Sequence, residues 1–237
     1  NEAKVDFNRL IIRNFTKGRI SLRSCKMIVI RFCGYSYGKV QIACLSIRNM
    51  EIKRCEWCGN DPLYVKYHDE EWGVPVHDDQ KLFEFLTLET FQAGLSWITV
   101  LRKRENFRKA FDNFDYRKVA KYDESKKESL RNDAGIIRNK LKIESAVTNA
   151  QAFMRIQDEF GTFDKYMWSF VDGKPMDNNF QKMHDLPATT DISDVFSKDL
   201  KKRGFKFVGS TVIYAHMQAT GMVNDHTTDC FRYSQLK

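Results

Sequence analysis

The chain has little proline and glycine, with only 4 prolines and 12 glycines in 237 residues. This scarcity argues against a β-rich or loop-rich fold, whose turns depend on these residues. The sequence also lacks a run of about 18 uncharged apolar residues, the length that a membrane-spanning helix needs. Its most apolar early stretch, residues 27–30, ends at Arg31, which argues against a secretory signal. Hydrophobic residues still make up 42% of the chain, enough for a substantial core.

Acidic residues are almost absent from the first 49 residues, which contain ten Lys and Arg but only two acids, Glu2 and Asp6. This excess accounts for the whole net charge of +8, so any DNA-binding surface in the balanced remainder must be a local patch. Met50 opens a segment of ordinary globular composition. We therefore divide the chain into a basic extension, residues 1–49, and one domain, residues 50–237. The extension is either non-native sequence before a natural start at Met50, or a basic targeting arm, and it is a candidate for disorder.

From residue 78 onward, the pattern is typical of helices. Leu82, Leu86 and Ala93 recur at helical spacing after the candidate N-caps Asp78 and Asp79, which predicts a helix over residues 80–93. Further helices are predicted after Asp115 and Asp123, over residues 139–160 with Leu141 on the apolar face, over residues 192–203 capped by Asp191, and over residues 210–220. Strand-like alternation is scarce, so we predict an all-α domain.

Two glycines, Gly204 and Gly209, lie five residues apart between the last two predicted helices. Because glycine permits positive φ and a close approach of the backbone, this spacing suits a tight helix–hairpin–helix turn that could bind phosphate. Four basic residues add local positive charge: Lys201, Lys202, Arg203 and Lys206. An ordinary glycine-capped turn with solvated lysines is the alternative, since such turns are common.

Nothing indicates secretion, so we expect a cytoplasmic protein whose six cysteines are thiols or metal ligands. Cys55 and His68 lie near the start of the domain, and His226 and Cys230 lie near its end with the i, i+4 spacing of one helix face. Two Cys and two His form a closed tetrahedral zinc site with no place for a catalytic water. The pattern therefore predicts one structural zinc that joins the two ends. A set that includes Cys58 instead of His68 is an alternative, and so is burial without a metal.

Residues 55–73 contain four aromatic residues, Trp57, Tyr64, Tyr67 and Trp72, and Trp97 follows later in the chain. Aromatic faces stack on an extruded base and attract a cationic one, although core packing explains most such clusters. Glu89 lies three residues after Leu86 and seven after Leu82, on the apolar face of its helix. A carboxylate there is costly unless it is paired. A cationic ligand with N–H donors would supply the missing partner.

Four motifs carry a wider resemblance: CEWCGNDPLYVKYHDEEWGVP, LETFQAGLSWITVLRKRENF, DAGIIRNKLKI and LKKRGFKFVGSTVIYAHMQATGMVNDH. Their order and content resemble the 3-methyladenine DNA glycosylase I family, from about residue 50 to about residue 230. The resemblance implies a monomeric, all-helical glycosylase of the helix–hairpin–helix class, located in the bacterial cytoplasm. Residues 1–49 fall outside it.

The resemblance also implies the roles of individual residues. It implies zinc bound by Cys55, His68, His226 and Cys230, which removes the alternative with Cys58. It places Glu89 in a base pocket with the five aromatic residues, implies that Gly94 and Leu95 fill the gap left by a flipped nucleotide, and makes the hairpin a DNA-backbone anchor. Asp225 is either a catalytic aspartate or a support for the metal ligand His226.

The implied activity is hydrolysis of the N-glycosidic bond of a flipped 3-methyladenine in alkylated double-stranded DNA, with free 3-methyladenine as the product. Methylation makes the base a cation, so it leaves as a neutral molecule with little acid assistance, and selectivity comes from binding. No lyase lysine is assigned. The alternative from another class is a zinc-clasped protein that binds or senses damaged DNA without activity.

Overall fold

The computed structural model of the chain describes residues 52–237. The predicted extension, residues 1–49, lies outside this range, so its assignment stays a prediction. The described residues form nine α-helices, here numbered α1 to α9: Pro62–Glu70, Asp79–Gln92, Trp97–Ala110, Tyr116–Val119, Glu124–Asn132, Lys140–Phe160, Phe163–Trp168, Asp191–Lys202 and Ser210–Ala219. The predicted helical domain is thus confirmed, and none of these helices is both long and apolar enough to cross a bilayer.

Side-chain caps explain where several helices begin. Asp78 accepts a hydrogen bond from the backbone N–H of Lys81 and caps α2, while Asp115 and Asp123 cap α4 and α5 in the same way. Each cap satisfies backbone donors that have no partner within the helix. The predicted caps of α4 and α5 are therefore correct. For α2, the first of the two candidate caps is correct and the helix begins one residue earlier than predicted.

The predicted cap of α8 is wrong by one residue. Thr190, and not Asp191, accepts the N–H of Ser193, while the Ser193 hydroxyl accepts the N–H of Thr190. This reciprocal pair satisfies two backbone donors at once, which a cap by Asp191 alone would not achieve.

Helix α2 is the central element of the core. Every residue from Leu82 to Phe91 is buried, and the helix packs against α3, α6, α7 and α9. A helix that is buried on all sides belongs to the interior of a domain. Any polar side chain from Leu82 to Phe91 is therefore removed from water, which gives the two buried glutamates, Glu84 and Glu89, their significance.

Two other features differ from the sequence prediction. Met176–Asp177 and Val223–Asn224 form a two-stranded parallel sheet, β1 and β2, which is too short to leave an alternating pattern. Leu141 is 62% exposed in the first turn of α6, although its spacing predicts burial. Periodicity assigns a residue to a helix face, but it does not show where along the helix the packing begins.

Candidate active site and metal-ligand cluster

A pocket with a cavity volume of about 240 Å³ lies beside α1, α2 and α9. It is lined by all six residues that the sequence analysis assigns to a base pocket: Glu89, Trp57, Tyr64, Tyr67, Trp72 and Trp97. Trp57 lies at the centre of the aromatic group, with its ring centroid 4.9 Å from those of both Tyr64 and Trp72. Tilted and edge-on contacts of this kind are favoured arrangements of aromatic pairs.

The pocket is also lined by five residues that the sequence analysis did not identify: Gln92, Met183, Leu186, Ala215 and Gln218. Gln92 lies three residues after Glu89 on α2, so helical spacing could have placed it on the same face. Met183 and Leu186 lie in the long segment between β1 and α8 and carry no periodic signal. Their position depends on tertiary structure that no local pattern encodes.

Glu89 is 4% exposed, and its Oε2 atom has no hydrogen-bond partner among the described residues. Burial raises the pKa of its carboxyl group to about 8. The indole Nε1 atoms of Trp57 and Trp97 are likewise buried and unpaired in the described part of the chain. Buried polar atoms without partners are rare and costly. The pocket therefore combines an apolar wall with one acceptor and two donors that a ligand could satisfy.

Glu84, on the same helix, is also a buried carboxylate, but its oxygen atoms are paired. Its Oε1 accepts hydrogen bonds from Nε of Arg104 and Nη2 of Arg108, both at 2.7 Å, and its Oε2 lies 3.2 Å from Nζ of Lys81. Although burial would raise it, the charges of Arg104 and Lys81 lower the pKa of Glu84 below its ordinary value. Glu84 is thus fully paired one and a half turns from Glu89, which has no such partners.

Four potential metal ligands meet at a second site, where one donor atom from each of Cys55, His68, His226 and Cys230 lies within 4.8 Å of all the others. The Sγ atom of Cys230 is 3.5 Å from Nε2 of His68 and 3.5 Å from Nδ1 of His226. All four residues are buried. Cys58 is not in this cluster; its thiol contacts the carbonyl oxygen of Gly59.

The second nitrogen of each imidazole is held by an oxygen acceptor. Nδ1–H of His68 donates to Asp69 at 2.8 Å, and Asp69 also pairs with Arg54. Nε2–H of His226 donates to the carbonyl oxygen of Trp72 at 3.1 Å. These bonds fix the tautomer and leave the other nitrogen of each ring facing the cluster.

One of the two expected roles of Asp225 was to support His226. The carboxylate of Asp225 does not make that contact. Its carboxylate accepts hydrogen bonds from Asn178, Tyr214 and Gln218 at 2.6 to 2.7 Å, and its described contacts do not include the ring of His226. Asp69 and the Trp72 carbonyl support the imidazoles instead. Through Gln218, Asp225 is connected to the wall of the pocket.

Gly94 and Leu95 lie in the α2–α3 loop, residues 93–96, next to the pocket residues Gln92 and Trp97. Gly94 has a φ of +80°, and a Cβ atom there would meet open space. Leu95 is 43% exposed. The loop therefore presents a glycine and an apolar side chain outward.

The connection between α8 and α9, residues 203–209, corresponds to the predicted hairpin. Gly204 has a φ of +94°, which strongly favours glycine, and Gly209 is the N-cap of α9. Lys201, Lys202 and Lys206 are exposed. Arg203 is only half-buried but is paired with Asp199 and Glu159, at 2.6 and 2.5 Å, so less of its charge is available to a partner.

Residues 57–233 match the model of a protein family described as methyladenine glycosylase. The chain belongs to this family. It is 50% identical over 182 residues to DNA-3-methyladenine glycosylase 1 of Escherichia coli (strain K12), covering 77% of this chain and 97% of that protein. It is 46% identical to the DNA-3-methyladenine glycosylase of Haemophilus influenzae (strain ATCC 51907 / DSM 11121 / KW20 / Rd), over 75% and 96% of the two chains. A solved variant of 3-methyladenine DNA glycosylase I in complex with 3-methyladenine is 36% identical, with a TM-score of 0.73 over 75% of this chain and 96% of that one. The family resemblance is thereby confirmed.

Proposed function

We propose that this chain is a DNA glycosylase that removes 3-methyladenine from alkylated DNA by hydrolysing its N-glycosidic bond. The observation that carries the proposal is the unpaired carboxyl oxygen of Glu89 in an aromatic pocket. A 3-methyladenine nucleotide offers both missing partners, an N–H donor edge for Glu89 and a cationic ring for the aromatic faces. The named function of the family and of its relatives supports the same substrate.

In the proposed reaction, water adds to C1′ of the sugar as the bond to N9 of the base breaks. The bonding electrons pass to the base, which loses its positive charge and leaves as neutral 3-methyladenine, while the water proton goes to solvent. The transition state is oxocarbenium-like, as in glycoside hydrolysis. Because the leaving group is already activated, the residues of the pocket need only select and orient the base.

DNA engagement is assigned to two surface segments. In the α2–α3 loop, Leu95 would fill the space vacated by the flipped nucleotide, and Gly94 would allow the duplex to approach closely. The connection between α8 and α9 would act as a helix–hairpin–helix anchor, in which the N–H groups at the start of α9 and the exposed lysines bind phosphate. The pairing of Arg203 with Asp199 and Glu159 makes it the weakest of the proposed basic contacts.

One structural zinc is proposed at the four-ligand cluster. Tetrahedral zinc holds sulfur at about 2.3 Å and nitrogen at about 2.0 Å, which places neighbouring donor atoms about 3.5 Å apart. The separations of 3.5 Å between Cys230 and the two imidazoles fit this geometry. With all four positions filled by the protein, the metal would stabilise the fold and leave water activation to other groups.

The test is incubation of the full chain with DNA alkylated by a methylating agent, followed by chromatography of the released bases. We expect 3-methyladenine among the products. If the folded, metal-loaded protein binds the DNA but releases no base, the chain is a damage-binding protein and the proposal is wrong.

A further inference from the structure

Helix α6 contacts both segments that are proposed to engage DNA. Near its start, Nζ of Lys142 donates hydrogen bonds to the carbonyl oxygens of Phe91 and Ala93, at 2.8 and 2.6 Å. Two turns later, Nδ2 of Asn149 donates to the carbonyl of Lys206 at 3.0 Å, while its Oδ1 accepts the N–H of Lys206 at 2.7 Å. One helix thus holds the α2–α3 loop with one side chain and the hairpin with another.

Lys142 is an unusual residue for this purpose because it is only 6% exposed. Buried lysines are normally paired with an acid, yet no carboxylate within residues 52–237 forms an ion pair with it, and burial lowers its pKa. Its hydrogen bonds go to carbonyls at the end of α2, where carbonyl groups lack partners within the helix and where a cation is favoured. The side chain therefore fixes the direction in which the backbone leaves α2 toward Gly94 and Leu95.

Asn149 is equally committed to the hairpin. It is 2% exposed, and its amide both donates a hydrogen bond to and accepts one from the backbone of one residue, Lys206. A two-way amide contact fixes the local backbone orientation as a strand partner would. The exposed Lys206 side chain therefore extends from a backbone that α6 holds in place.

We infer that Lys142 and Asn149 are positioning residues that hold the α2–α3 loop and the hairpin at a fixed separation, so that both contact one duplex while a base occupies the pocket. The two residues are seven positions apart and so lie on the same face of α6, about 10 Å apart along its axis. A continuous helix of 21 residues is a stiff spacer between the two contacts. This inference rests on the proposed glycosylase function.

The test compares the full-length wild type with Lys142→Met and Asn149→Ala. Excision from alkylated duplex is measured at several DNA concentrations, and binding of free 3-methyladenine is measured by the fluorescence of the pocket tryptophans. For each variant we expect KM for DNA to rise roughly tenfold, equivalent to about 1.4 kcal/mol, while the affinity for the free base stays unchanged. In Lys142→Met, amide hydrogen exchange should accelerate at residues 93–96. Ser145→Ala is the matched control, because Ser145 is buried on α6 but bonds only within the helix, to the carbonyl of Lys142, and it should leave KM unchanged.

An unchanged KM in both variants would overturn the inference, and so would an equal loss of free-base affinity, which would indicate a general structural role. If Lys142→Met does not fold, Asn149→Ala decides the outcome alone. If the wild type releases no base, the proposed function fails separately, and the inference is then judged by binding of an undamaged duplex. A tenfold weaker complex with the variants would support it, and equal affinity would overturn it.

Discussion

At the scale of single residues, two glutamates on α2 have opposite environments. Glu84 is surrounded by three cations, whereas Glu89 is equally buried and has an oxygen with no partner in the described residues. A protein interior rarely leaves such an atom unpaired, because the loss of hydration is not repaid. The carboxyl group of Glu89 therefore destabilises the free protein and becomes useful when a ligand with N–H donors arrives.

The first prediction concerns stability and pH. The pKa of Glu89 is about 8 in the folded protein against 4.5 ordinarily, so folding retains a proton that the unfolded chain releases between these values. At low pH the proton is bound in both states and the full free energy of unfolding is present. The free energy of unfolding then falls as the pH rises from about 4.5 to 8, because the unfolded chain can release the proton and the folded protein retains it. Each pKa unit corresponds to about 1.4 kcal/mol, so the loss amounts to a few kcal/mol at most.

Urea denaturation of wild type and Glu89→Gln from pH 5.5 to 9 measures this effect. Because glutamine does not titrate, the variant should gain stability relative to the wild type as the pH rises. The difference between the two proteins cancels contributions from the Cys and His residues of the four-ligand cluster. A difference that is independent of pH would show that Glu89 is not held as a neutral acid.

A second prediction at this scale concerns Trp97. Replacing it with alanine removes a wall of the pocket and an unpaired N–H donor, so binding of free 3-methyladenine should weaken roughly tenfold or more, as base stacking alone is worth about 1–3 kcal/mol. Isothermal titration calorimetry gives the affinity. Phe207→Ala is the control, since Phe207 is a partly exposed aromatic on the hairpin, outside the pocket. Equal affinities of Trp97→Ala and wild type would remove Trp97 from the base site.

At the scale of secondary-structure elements, short-range interactions predict where helices begin but not how the helices and strands pack. Asp78, Asp115 and Asp123 were predicted as caps and form those caps, because a cap depends only on residues within one turn. The exposure of Leu141 and the pairing of β1 with β2 were not predicted, since both depend on segments distant in the sequence.

The hairpin gives the third prediction. Lys206→Ala should weaken binding to any duplex regardless of sequence and reduce the slope of log K against log salt concentration by about 1, the effect of losing one phosphate contact. Fluorescence anisotropy over a range of salt concentrations measures both quantities. Lys109→Ala is the comparison, because Lys109 is an exposed lysine in the last turn of α3, at the end opposite the α2–α3 loop. Equal slopes for Lys206→Ala and wild type would exclude a phosphate contact at Lys206.

At the scale of the whole molecule, the four-ligand cluster joins residues near the two ends of the domain. Cys55 and His68 meet His226 and Cys230 across more than 150 residues of chain. A metal bound there would close a long loop and reduce the entropy of the unfolded chain. The i, i+4 pair was visible in the sequence, but spacing alone left Cys58 as an alternative to His68. The family resemblance argued against Cys58, and in the fold Cys58 lies outside the cluster.

The fourth prediction compares Cys58 with Cys55, a member of the four-ligand cluster. The wild type should contain one zinc per chain by atomic absorption, and Cys55→Ser should lose most of it together with a large fall in Tm. Cys58→Ser should keep the zinc, because its equally buried thiol lies outside the cluster. The proposed ligand set is wrong if Cys58→Ser loses the metal or if Cys55→Ser retains it.

The full lining of the pocket also depends on the fold of the whole molecule. Glu89 and the aromatic residues were identified from the sequence because they carry distinctive chemistry. Met183, Leu186 and Gln218 were not, because their side chains are ordinary and they reach the pocket from later segments of the chain. Sequence patterns identify chemically unusual residues, whereas the shape of a cavity depends on long-range packing.

The most direct measurement of the central claim is the rate of 3-methyladenine release from alkylated duplex DNA by wild type and Glu89→Gln. The wild type should release the base. The variant should fall about 10- to 100-fold in kcat/KM, since a hydrogen bond to a charged group is worth about 1.5–3 kcal/mol, while its affinity for undamaged duplex stays the same. Equal rates for the two proteins, or no release by the folded wild type, would contradict the assignment of this pocket as the site of base recognition.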